Sequence, residues 1–76
     1  MSEADKILMD IFENKQESYS KGKLECIEFK TNYKYIKNNI IKFHLTNKRI
    51  EIDGVLDIKE LKAINLKCKE LGWIEE

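Results

Sequence analysis

Leu56-Asp57-Ile58-Lys59-Glu60-Leu61-Lys62-Ala63-Ile64-Asn65-Leu66-Lys67-Cys68-Lys69-Glu70-Leu71-Gly72-Trp73 decides the fold, because both ends of a helix are written into it. Asp57 is placed to accept a hydrogen bond from the free N–H groups of a first turn, and Glu60, three residues on, can reach back to the Asp57 N–H, which together make a capping box. Leu56 and Leu61 take the positions of a hydrophobic staple. Ile58, Leu61, Ile64, Cys68 and Leu71 recur at helical spacing, so the pattern predicts one apolar stripe, with Lys59, Lys62, Lys67 and Lys69 on the wet side. Gly72 supplies a left-handed residue after the last turn, and Trp73 then folds back towards Cys68 in a Schellman motif. A single amphipathic helix cannot bury its own stripe, so the rest of the chain has to provide a partner surface.

Working towards the N-terminus, Arg49 to Asp53 alternates as a strand, with Ile50 and Ile52 inward and Arg49, Glu51 and Asp53 outward. Residues 40–45 read as its hairpin partner, Ile41, Phe43 and Leu45 inward and Ile40, Lys42 and His44 outward, joined through Thr46-Asn47-Lys48 with Asn47 best suited to a positive φ. In that register Lys42 neighbours Glu51, and His44 neighbours Arg49, on the outer face. Residues 24–30 form another strand. Its alternation is imperfect, because Leu24 and Cys26 share one parity and Ile27 and Phe29 the other, so either both faces are partly covered or a bulge between Cys26 and Ile27 resets the register. Thr31-Asn32 is a turn, Tyr33-Lys34-Tyr35-Ile36 a short edge segment, and the polar stretch 14–23 a loop. Ala4, Ile7, Leu8, Ile11 and Phe12 repeat at helical spacing, with Ser2 and Asp5 as a weaker capping pair. The expectation is a single α+β domain over 1–76 in the order α-β-β-β-α. It is a three-stranded antiparallel meander with both helices on one face, covering Ile27, Phe29, Ile41, Phe43, Ile50 and Ile52.

Seventy-six residues lie near the lower limit for a self-sufficient core, which makes a homodimer that adds apolar burial an open alternative to a monomer. Formal net charge is zero with 37% of residues charged, which argues against a strong general field for nucleic acid or an anionic membrane. No apolar run approaches the ~18 residues of a spanning helix, and the first dozen residues lack a signal peptide's layout, so a cytoplasmic location is expected. The two cysteines, Cys26 and Cys68, are read as buried thiols in a reducing compartment.

Candidate chemistry is sparse. His44 is the single histidine and the cysteines are solitary, so neither a metal site nor a cofactor is expected. Cys26 with His44 is the only conceivable nucleophile–base pair, and the alternation sets Cys26 towards the core and His44 towards water. Pairs of carboxylates such as Asp53 with Asp57, or Glu25 with Glu28, come with no inferable cleft. The reading is therefore not an enzyme.

Charge is distributed unevenly. Residues 1–18 hold five acids against two lysines, residues 19–49 eight bases against two acids, and residues 50–76 seven acids against four lysines. The expected sheet is basic and the helices acidic. Tyr33, Lys34 and Tyr35, together with Ile40, Lys42, His44 and Arg49, form the candidate interaction surface. Aromatic residues ringed by charge suit a protein interface. Lysines interleaved with tyrosines also suit single-stranded nucleic acid, the alternative reading, although only one arginine is available for bidentate contacts.

The residues Glu60 to Trp73 resemble the endings of small, largely uncharacterised proteins of phages and prophages of low-GC Gram-positive bacteria, and Ala4-Asp5-Lys6 is similar to their opening helix. About a third of the chain carries this resemblance, through caps and core positions. What it implies is a phage accessory protein that binds a host or phage protein, with no catalytic residue carried over. Residues 33–39 look like extra material between strands.

Overall fold

The helix expected at the C-terminus spans Ile58–Glu70 (α2), and both caps form as the sequence predicts. Asp57 Oδ1 accepts the Glu60 N–H at 3.0 Å. At the other end Trp73 N–H bonds to Cys68 C=O at 2.9 Å and Gly72 N–H to Lys69 C=O at 3.0 Å, the paired bonds of a Schellman motif, with Gly72 at φ +75°. This motif delivers the Trp73 ring to Phe43, with centroids 6.4 Å apart. Here and throughout, the structure is a computed structural model that describes residues 2–31 and 39–74.

The N-terminal helix covers Glu3–Ile11 (α1), capped by Ser2 Oγ on the Asp5 N–H at 3.1 Å. Four strands follow, Asn14–Ser20 (β1), Lys23–Lys30 (β2), Ile40–His44 (β3) and Arg49–Asp53 (β4), in one antiparallel sheet ordered β1-β2-β3-β4. The α+β architecture expected from the sequence is present, with one strand more. Phe29 and Phe43 stack edge to face at 6.1 Å beneath Leu8, Phe12, Ala63 and Ile64, and this sandwich of helices on one sheet face is the core.

The extra strand is β1, where the sequence predicts a loop. Its residues, Asn-Lys-Gln-Glu-Ser-Tyr-Ser, carry no apolar alternation and are exposed apart from Lys15. It is held in place by pairing with β2 and by a two-residue connection, Lys21-Gly22, with φ of +52° and +78°. Positive φ at both central residues is the twist-matched hairpin geometry usually signalled by Asn-Gly. The expected edge segment at Tyr33 to Ile36 lies outside the described residues. The irregularity in β2 falls opposite Ser18 and Tyr19, where the pairing passes from Cys26 to Leu24 and skips Glu25. That shift, slightly earlier than expected, lets Leu24 pack against the core. The β3–β4 connection is Leu45 to Lys48, and Lys48 rather than Asn47 takes the positive φ, +56°.

The largest correction concerns which face of α2 is buried. Ile58 and Leu61 are 65% and 52% exposed, while Glu60, Ala63 and Lys67 are buried. Lys67 reaches Asp5 of α1, with Nζ 2.9 Å from Oδ1. Lys15 of β1 adds a second cation at 3.4 Å from Asp5 Oδ2. Glu70 accepts the Ala4 N–H at the N-terminus of α1 at 3.1 Å, where a negative charge complements the helix dipole. Turning residues 60, 63, 67 and 70 towards α1 rotates Ile58 and Leu61 out, because a residue nine positions before Lys67 lies half a turn round the helix. Ile52, expected inward, is 44% exposed at the sheet edge, and Cys26, expected in the core, is half-buried on the opposite face.

The buried polar groups predict two opposite pH responses. Burial raises the Asp5 pKa, but the hydrogen bond and charge of Lys67, the charge of Lys15 and the Ser2 hydroxyl outweigh it, and the net shift is downward. Its stabilisation is complete above the ordinary carboxylate pKa and is lost as the pH falls through the folded value. Asp5→Asn at neutral pH is expected to cost about 2–3 kcal/mol in urea unfolding, near the low end for a broken buried pair because water has a short path into so small a domain. Asp5→Leu combined with Lys67→Met is expected to recover most of that loss. Burial and then the Asp57 charge raise the Glu60 pKa against the opposing Asp57 N–H, and Oε2 has no hydrogen-bond partner among the described residues. Here the ionised form is penalised at neutral pH and the penalty disappears on acidification through the raised pKa. Glu60→Gln keeps a capping-box residue and is expected to raise the melting temperature at pH 7 by a few degrees, for about 1 kcal/mol. The gain should vanish in acid.

Candidate functional site

One face of the sheet is covered by helices, and among the described residues nothing is layered on the other. The uncovered face is built by strand alternation: Cys26, Glu28 and Lys30 on β2, Ile40, Lys42 and His44 on β3, and Arg49, Glu51 and Asp53 on β4. Ile40, Lys42, His44 and Arg49 are therefore brought together as the sequence reading expects, with Lys42 opposite Glu51 and His44 opposite Arg49. Tyr33, Lys34 and Tyr35 lie outside the described residues.

The electrostatics of the face depend on residues the candidate surface did not include. Lys42 Nζ lies between two carboxylates, 3.8 Å from Glu28 and 3.7 Å from Glu51. His44 Nε2 is 3.4 Å from the other Glu51 oxygen. These three strands thus carry a transverse ladder of alternating charge, Glu28–Lys42–Glu51, and not the basic sheet expected from net charge along the chain. Strand alternation in the sequence puts Lys42 and Glu51 on one face, and the β2 register is needed to bring Glu28 beside them.

Cys26 and His44 are direct cross-strand partners on this face, which overturns the expectation that they point apart. The pairing does not activate the thiol. Burial raises the Cys26 pKa, Lys42 lowers it, and Glu28 and Glu51 raise it again, leaving a net upward shift. Cys68 is also shifted up, by burial alone. Neither cysteine is in a disulfide.

Two shallow, solvent-open grooves flank the ladder. One, of about 430 Å³, is lined by Asn14, Lys15, Gln16, Glu28 and Lys30; the other, of about 310 Å³, by His44, Asn47, Arg49, Ile50 and Glu51. Both are lined mainly by polar and charged side chains, unlike the apolar enclosed pocket typical of a small-molecule site. No group of His, Cys, Asp and Glu suited to a metal ion occurs among the described residues. No helix among them is long and apolar enough to cross a membrane. Comparison with protein families, curated proteins and solved structures gave no match to the chain.

The environment of Cys26 generates a direct test. Its alkylation by iodoacetamide at pH 7.5, followed by intact-mass spectrometry, is expected to be several times slower than that of a free thiol. Glu28→Gln with Glu51→Gln should accelerate it, because both carboxylates oppose the thiolate.

Proposed function

We propose that the chain is a non-enzymatic interaction module that binds a protein partner, of host or phage origin, through the uncovered face of its sheet. The observation that carries this reading is the Glu28–Lys42–Glu51 ladder. It gives the face a specific pattern of alternating charge, with Glu28 and Lys42 half-buried on adjacent strands and Glu51 more exposed on the third. A partner with complementary alternating charges gains orientation and specificity from such a surface. Phosphate backbones gain little from it, because the central lysine is already flanked by carboxylates, which weakens the nucleic-acid alternative. The upward-shifted Cys26 thiol and the open, polar grooves do not favour catalysis. The resemblance of both ends of the chain to phage and prophage proteins supports an accessory role in the host cytoplasm.

The test is affinity capture of the tagged protein from host lysate with and without nuclease, read by mass spectrometry. One stoichiometric protein is expected, insensitive to nuclease and depleted at least tenfold by Lys42→Glu, which reverses the centre of the ladder. Recovery that requires nucleic acid and collapses with salt would reject the reading in favour of the alternative.

A further inference from the structure

The two edges of the sheet are protected very differently. On β1 the residues that point to the covered face include Lys15 and Glu17, opposite Phe29 and Ile27, and the register shifts beside Tyr19. Inward-pointing charges and an irregular register are the devices that stop an edge from pairing with another strand. On β4 the corresponding residues are Ile50 and Ile52, opposite Phe43 and Ile41, and Ile52 remains 44% exposed. Val55, before α2, and Ile58 and Leu61, on the side of α2 turned away from Lys67 and α1, are also exposed.

The backbone of β4 is also open in a defined pattern. Leu45 donates its N–H to Glu25 and Thr31 donates to Asn39 C=O, so the odd-numbered residues of β3 address β2. By antiparallel alternation Ile40, Lys42 and His44 address β4, which engages the backbone of Asp53, Glu51 and Arg49. The N–H and C=O groups of Ile50 and Ile52 therefore point out from the edge.

We infer that β4 pairs antiparallel with β4 of a second copy of this chain, in the register that places Glu51 opposite itself on a two-fold axis. This goes beyond the proposed function and uses the β4 edge, which shares Arg49, Glu51 and Asp53 with the uncovered face. Arg49-Ile50-Glu51-Ile52-Asp53 is self-complementary when read against its own reverse: Arg49 meets Asp53 of the second copy and Ile50 meets Ile52. All four outward backbone groups of each edge are then hydrogen-bonded. Sliding the register by two residues in one direction leaves the Ile52 groups unused, and in the other sets Asp53 against Glu51. The like-charged Glu51 pair on the axis is moderated by Lys42 at 3.7 Å and His44 at 3.4 Å within each chain. The two-fold axis is perpendicular to the sheet, so both helical layers stay on one side and the Ile52, Val55, Ile58 and Leu61 strips approach each other. The result is a continuous eight-stranded sheet with one uncovered face.

Light scattering on the full chain is expected to show the mass rising from 9.0 kDa to twice that value. The midpoint should lie in the micromolar range, about 10–100 μM, as suits a small interface. Ile52→Lys adds the inward charge that β1 already carries, and should leave the protein monomeric to about 1 mM with an unchanged circular dichroism spectrum. Leu61→Glu, on the helix and away from the strand, should weaken association at least tenfold. A wild-type protein that stays monomeric to that concentration, or variants that associate as the wild type does, would overturn the inference. The register is tested by oxidation in a Cys26→Ser background. Glu51→Cys should form a disulfide dimer rapidly and Ser18→Cys, on β1, should not; cross-linking through Ser18→Cys, or none through Glu51→Cys, would also overturn it. These readouts involve no lysate partner, so they are independent of whether the uncovered face binds one.

Discussion

A lysine and an aspartate buried where the two helices touch set the geometry of the layer above the sheet. Lys67 and Asp5 are both almost inaccessible to water, and neither tolerates burial without the other. Once they meet, the rotation of α2 about its axis is determined: Glu60, Ala63 and Glu70 turn the same way, and Ile64, Cys68 and Leu71 come down on the sheet. A pair of this kind adds little net stability over an apolar substitute. Its geometric counterpart is the orientation of α2: with Glu60, Ala63 and Lys67 buried, Ile58 and Leu61 are left exposed.

The sheet beneath has only one face to bury and treats the other as a scaffold for charge. Because cross-strand partners sit about 5 Å apart, strands that place Glu28, Lys42 and Glu51 in register convert an unremarkable set of surface ions into an ordered row. Individually such exposed pairs contribute little to stability. Collectively they set where a charged partner would find complement or repulsion. The Cys26 thiol beside this row is shifted upward chiefly by burial, with Lys42 opposing the shift and Glu28 and Glu51 adding to it.

What is legible in the sequence divides by the range of the interactions that decide it. The caps of α2, the stripe of α1 and the β3–β4 register depend on neighbours a few residues away, and Asp57, Glu60, Gly72 and the alternation at Ile41, Phe43, Ile50 identify them. β1 has no such pattern: its pairing is imposed by β2, and the turn that makes it uses Lys21, a residue with no preference for positive φ. The rotation of α2 is equally hidden, since a burial pattern that takes in Glu60 and Lys67 while leaving out Ile58 and Leu61 makes sense only with Asp5 in view. For the candidate surface, Ile40, Lys42, His44 and Arg49 are found by strand parity alone. Glu28, Glu51 and Cys26 join them only when β2 is aligned, which is why summing charge along the chain suggests a basic sheet where the fold builds a balanced one.

The connection from β4 to α2 rests on a side chain that imitates backbone. Asn39 donates from Nδ2 to Val55 C=O at 3.1 Å and accepts the Val55 N–H on Oδ1 at 3.3 Å. It is packed so closely on Gly54, at φ +119°, that a methyl group there would overlap the Asn39 amide. Only a primary amide offers a donor and an acceptor side by side at this reach; a carboxylate would set an oxygen against the Val55 carbonyl. Hydrolysis of that one amide, the ordinary chemical ageing of asparagine, therefore replaces a clasp with a repulsion at the joint that carries the chain from the sheet to its longest helix. A single side-chain nitrogen thus separates a two-bond clasp from an electrostatic mismatch at this joint.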